Sequence, residues 1–95
     1  MSVCVTIRTE EKLKSDELFK YLAKQGEKLV VTSEDFPYVR FGSDKQSIRG
    51  VEVSEDEAGY EVRAFTFSSI ADYNLFVRTV QTVMTITGGR AYYDD

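Results

Sequence analysis

Three consecutive carboxylates, Glu55, Asp56 and Glu57, form the longest acidic run in this sequence, and an acidic pair, Asp94 and Asp95, stands at its end. Hard cations such as Ca2+ and Mg2+ take carboxylate oxygens, but they need several that converge on one point. Adjacent acids in a tight turn diverge, and the alternate-residue spacing of a calcium loop is missing. Both groups therefore read as solvated charge without a metal. A glycosidase would need two acids facing each other across a pocket, and the spacing gives no support for that. The chain has no histidine, which removes the commonest general base, the usual serine and cysteine triads and the commonest zinc ligand. Cys4 is the only cysteine, so neither an intramolecular disulfide nor a multi-cysteine metal site can form. Its place in an alternating stretch predicts a buried, inert thiol. Gly88 and Gly89 follow a predicted helix and do not open one, so they make no phosphate loop. The expectation is a protein that is not an enzyme and needs no cofactor.

Tyr38, Arg40, Arg63, Phe65 and Phe67 form an aromatic and basic group on predicted strands, the kind of surface that stacks unpaired bases in RNA-recognition domains. The aromatic strand signature of those domains is not reproduced, and the net charge of −4 opposes attraction to nucleic acid or to an anionic membrane. Phe65 and Phe67 then read as core residues, and no nucleic acid is expected as a partner. No apolar run approaches the roughly 18 residues that span a bilayer. With no basic leader and apolar core at the N-terminus, the expected location is the cytoplasm. A composition of 42% hydrophobic and 29% charged residues is that of one folded domain over residues 1–95.

The element around which the others are arranged is a predicted helix from Ser69 to Ile86. Tyr73, Phe76, Val77, Val80, Val83 and Met84 recur at three- and four-residue intervals, which predicts a buried stripe centred near Tyr73. Burying it would contribute about 1.5 to 3 kcal/mol per side chain before chain entropy is subtracted. Ser69 and Asp72 have the spacing of a weak capping box, and Gly88 or Gly89 supplies the left-handed residue that stops the helix. On this reading Leu75, Thr79, Thr82 and Ile86 project to the far side, where a surface helix would carry charge. They are predicted to form an interface, with a homodimer or a following domain of the same protein as the partner.

The remaining segments read as sheet and one shorter helix. Val3, Val5 and Ile7 alternate with polar residues as a half-buried strand does. Ser15 is a predicted N-cap, ahead of a stripe of Leu18, Phe19 and Leu22 that Gly26 ends. Leu29 to Val31 and Phe36 to Phe41 are predicted strands, with Pro37 at an edge or at the start of the second. Ile48 to Ser54 and Tyr60 to Phe67 are predicted hairpin arms around a Glu55 to Gly59 tip, with Gly50 as a bulge. The order predicts an α+β two-layer sandwich, with two helices on one face of a mainly antiparallel sheet. It is a ferredoxin-like plan with extra strands.

Residues 87–95, Thr-Gly-Gly-Arg-Ala-Tyr-Tyr-Asp-Asp, resemble a pattern in small uncharacterised bacterial α+β domains of unknown function. The resemblance implies a bacterial protein and carries no functional residue with it. A strand running to the last residue adds the expectation that the chain is the N-terminal domain of a longer protein. The expected function is a noncatalytic interaction or assembly domain, the alternative being a small-ligand-binding regulatory module that uses a groove between helix and sheet.

Overall fold

The computed structural model describes residues 3–42, 50–64 and 70–93. In chain order its elements are β1 (Val3–Arg8), α1 (Ser15–Lys24), β2 (Val30–Ser33), β3 (Tyr38–Gly42), β4 (Val51–Asp56), β5 (Gly59–Ala64), α2 (Ile70–Thr87) and β6 (Arg90–Tyr93). The strands make one six-stranded sheet in the order β2-β3-β4-β5-β1-β6, antiparallel at every junction. The fold is therefore α+β with an antiparallel sheet and two helices, as the order of elements predicts.

The two-residue period of the strands sorts their side chains. Val5 stands opposite Val62, Val62 opposite Val53, and Val53 opposite Val39, and all four are fully buried. They form an apolar row across four strands. One residue along, Cys4, Arg63, Glu52 and Arg40 make a polar row, because successive side chains point to opposite faces. The apolar row joins Leu18 and Leu22 of α1 and Leu75, Phe76, Val80 and Val83 of α2 in one core. Phe19 adds an edge-on ring contact with Phe41, centroids 5.6 Å apart.

Several predicted boundaries move for identifiable reasons. Ser15 is the first helical residue and not the cap; Lys14 occupies that position without a side-chain cap bond. The preceding residue is pinned from elsewhere, since the Leu13 N–H donates to the Tyr60 hydroxyl at 2.7 Å, and the Leu18 N–H closes the first turn on the Lys14 carbonyl. At the other end the Gly26 N–H bonds the Ala23 carbonyl and the Glu27 N–H the Leu22 carbonyl, the double closure of a Schellman motif. The hairpin is tighter than predicted. Its ladder continues through Glu55–Tyr60 and Asp56–Gly59, leaving Glu57 and Ala58 as the turn. Gly59 makes this possible: its φ is +148°, and a Cβ there would lie 2.2 Å from the Ile7 carbonyl oxygen. Gly50 precedes β4 and does not bulge it. Pro37 stands immediately before β3, where a missing amide costs the ladder nothing. Ser69, Phe65, Phe67, Asp94 and Asp95 lie outside the described residues, and with them half of the predicted capping box and the C-terminal acidic pair.

Candidate functional site

The helix α2 is turned from its predicted orientation by somewhat less than the about 100° of one residue. Leu75 and Thr79 are 0% exposed and Thr82 is buried, while Ile86 is half-buried against the core. Tyr73, the predicted centre of the buried stripe, is 45% exposed, and Val77 is 37% exposed. The expectation that Leu75, Thr79, Thr82 and Ile86 face outward is thus corrected. That side of α2 meets the C-terminal end of α1 in the same chain: Gln25 Nε2 donates to Thr82 Oγ1 at 3.2 Å, and Arg78 pairs with Glu27 at 2.8 Å.

The physical reason lies in the threonines. Thr79 Oγ1 donates to the Leu75 carbonyl at 2.6 Å, Thr82 Oγ1 to the Arg78 carbonyl at 2.7 Å, and Thr87 Oγ1 to the Val83 carbonyl at 2.7 Å. A hydroxyl satisfied four residues back within its own helix leaves the methyl group to pack, so a buried threonine costs little more than a valine. Pattern reading that counts threonine as polar rotates the stripe away from it.

What remains exposed on α2 is a second apolar flank. Ile70, Tyr73 and Val77 lie three and four residues apart, Ile70 being 81% exposed, and half-buried Met84 follows seven residues after Val77. This flank runs beside β6, the last strand of the sheet, whose Tyr93 is 70% exposed. Between them is a groove of about 440 Å³ lined by Val3, Tyr73, Val77, Val80, Met84 and Tyr93, among others. A shallower depression of about 320 Å³ continues it past Gln81 and Met84 to Gly88 and Gly89. The turn between α2 and β6 sets this geometry. Gly88 has φ +71° and its N–H bonds the Met84 carbonyl at 2.8 Å, the left-handed stop predicted for this pair. Gly89 is needed for close approach, since a Cβ would lie 2.8 Å from both the Arg8 carbonyl oxygen and Ile7 Cγ2. β6 thereby docks on β1 in regular register from Arg90 to Tyr93.

The opposite face of the sheet carries charge that is largely paired. Arg63 donates to Glu61 Oε1 at 2.7 Å and, through Nε, to Cys4 Sγ at 3.1 Å. The Arg63 guanidinium is held above its ordinary range, first by the hydrogen bond to Cys4, then by the Coulombic influence of Cys4, then by Glu61. It stays protonated at every physiological pH. Cys4 is half-buried in this polar cluster and is not the buried thiol that was predicted. Tyr38 and Arg40 lie on the same face as Arg63, with Arg40 3.7 Å from Glu52. Arg8 stacks over the Tyr92 ring at 4.6 Å. An open, charged cleft of about 740 Å³ lies between the hairpin tip and residues 8–12. Among the described residues no three His, Cys, Asp or Glu side chains are grouped to hold a metal ion.

The exposed residues of this flank that pattern reading assigned to the core are Tyr73 and Val77; Met84, assigned with them, is half-buried against the core. Their signal was the breadth of the apolar arc on α2. Among the described residues no helix is long and apolar enough to cross a membrane.

No curated protein and no solved structure matches the chain. The likeness to an uncharacterised small domain family, first carried by residues 87–95, extends over nearly the whole sequence. A family model described as "Domain of unknown function (DUF4299)" matches residues 2–95, and the chain belongs to that family.

Proposed function

We propose that this domain is a noncatalytic interaction module that self-associates through the α2 flank and the β6 edge. The observation that carries the reading is the apolar groove between Tyr73, Val77 and Met84 on one side and Tyr93 on the other, placed beside an edge strand. Tyrosine and methionine are enriched at protein contacts, where a large, partly apolar side chain buries much area at low entropic cost. A second copy is favoured as the occupant because an edge strand pairs antiparallel with itself about a two-fold axis, giving a closed and self-complementary contact.

The same reading treats the domain as ferredoxin-like in plan, with both helices on one face and the β2–β3 pair as an addition. Its support is that β5 lies between β1 and β4, and β1 between β5 and β6, an interlocked pair of split units. The apolar residues of both helices also share one core with the inward row of the sheet. A bacterial cytoplasmic setting belongs to the proposal too, resting on the C-terminal resemblance and on a chain with one cysteine, which suits a reducing compartment.

Light scattering after size exclusion tests the function. The parent should elute as a dimer, and Tyr73→Asp combined with Val77→Lys as a monomer with unchanged circular dichroism. A parent that stays monomeric at high concentration, or a variant that stays dimeric, would count against the reading.

A further inference from the structure

We infer that Arg8 and Arg90, side by side on the polar face of the sheet, form a binding site for a phosphate dianion, carried as a monoester or as the free ion. The site is separate from the apolar flank and backbone edge proposed for self-association.

Strand register sets the two arginines together. Arg8 of β1 stands directly opposite Arg90 of β6, and Cβ atoms so placed are about 4.5–5.5 Å apart. Both side chains are exposed, and among the described residues neither takes part in an ion pair. The acids of this face are held by other arginines: Glu61 by Arg63 at 2.7 Å, and Glu52 by Arg40 at 3.7 Å. Arg8 also borders the cleft that carries Glu10, Glu11, Asp56 and Glu57. Its guanidinium nevertheless lies over the Tyr92 ring, 4.6 Å from the centroid.

Like charges directly opposite each other destabilise a strand pair. The cation–π contact steadies Arg8, but both charges still face solvent without a counter-charge among the described residues. A local rule broken with no compensating contact is a mark of functional sites.

The chemistry of the pair selects the anion. One guanidinium presents two parallel N–H donors that grip two oxygens of the same group. A carboxylate, with two oxygens and one charge, is already satisfied by a single fork. A phosphate diester likewise has one charge and two free oxygens. A monoester has three free oxygens and carries about −1.5 to −2 at neutral pH, so it matches two forks and two positive charges. Inorganic phosphate shares that chemistry. The stack on Tyr92 orients one fork in advance, which lowers the ordering cost of binding. A net charge of −4 opposes a long polyanion at the same place.

Nuclear magnetic resonance titration of the isotope-labelled protein tests the site with phenyl phosphate, diphenyl phosphate and benzoate, at constant ionic strength in sodium chloride. The titration is run at about pH 8, above the second phosphate pKa of about 6. The Arg8 and Arg90 Nε–H signals should move saturably with phenyl phosphate, at a dissociation constant at least about tenfold below that of the other two. Arg8→Gln and Arg90→Gln should each weaken binding about tenfold, while Arg40→Gln should leave it unchanged. An inorganic phosphate arm separates the sources: tighter binding of phenyl phosphate assigns the site to an ester, tighter binding of inorganic phosphate to the free ion, and either supports the dianion. Benzoate or diphenyl phosphate binding as tightly as phenyl phosphate would overturn the dianion, in favour of an acidic segment or a nucleic-acid backbone. No saturable response at Arg8 and Arg90, or binding that both glutamine variants retain, would overturn the site.

Discussion

The side of the molecule toward β2 and α1 is closed, and the side toward β6 is open. At the β2 edge the ladder with β3 is irregular between Val31 and Ser33. Ser33 Oγ there donates to the Tyr38 carbonyl at 2.8 Å and Thr32 Oγ1 to the Arg40 carbonyl at 3.3 Å. Irregular pairing, short length and flanking charges from Lys28, Glu34 and Asp35 are the usual ways of discouraging another strand. β6 is as short as β2, but its register is regular, and its last two described residues are exposed tyrosines. The flanks of α2 differ in the same sense. Toward α1, Arg78 and Thr82 meet Glu27 and Gln25; toward β6, Ile70, Tyr73 and Val77 are exposed. The proposed self-association places the contact surface on the unguarded side, where exposed apolar area is concentrated.

The contrast breaks most directly at Leu75. If it is core, Leu75→Ala removes a fully buried side chain and should cost about 2 to 5 kcal/mol by urea denaturation, whereas Val77→Ala should change monomer stability by no more than about 0.5 kcal/mol. Equal effects of the two would reverse the assignment of the flanks. Next in size is the edge itself. Tyr92→Lys should raise the dimer dissociation constant about 100-fold, equivalent to about 2.7 kcal/mol, while Thr32→Lys on β2 should leave it unchanged; sedimentation equilibrium separates the two.

Smaller effects sharpen the picture of how the open side is built. Gly88→Ala should cost about 1 kcal/mol. A Cβ there meets no atom within 4 Å, so the loss would come from backbone conformation alone, and an unshifted urea midpoint would contradict the cap. The least consequence is expected at the hairpin tip. Replacing Glu55, Asp56 and Glu57 by Ser should leave stability within about 1 kcal/mol, and a calcium-dependent rise in melting temperature lost in that variant would overturn the view of the tip as solvated charge.

Much of the fold was legible before any coordinates. β1 matches its predicted span, and Gly88 stops α2 as expected. These features follow from local rules: a two-residue period, a three-to-four-residue period, and glycine where φ must be positive. The candidate surface was legible only in kind. That α2 is apolar on more sides than the sheet alone would cover could be read from its residues, but the wrong flank was assigned to the outside.

Residue types and their spacing determined the elements, the class of fold and the inward row of each strand, because those depend on neighbours in the chain. Tertiary structure alone decided which strands became edges, since pairing β1 with both β5 and β6 joins residues far apart in sequence. It also decided the rotation of α2. Three threonines returned their hydroxyls to their own helix, which let that side pack against α1 and the sheet and left Tyr73, Val77 and Met84 beside the open edge. Burial there was set by which side found a partner surface, a property that hydropathy counted along the chain does not contain.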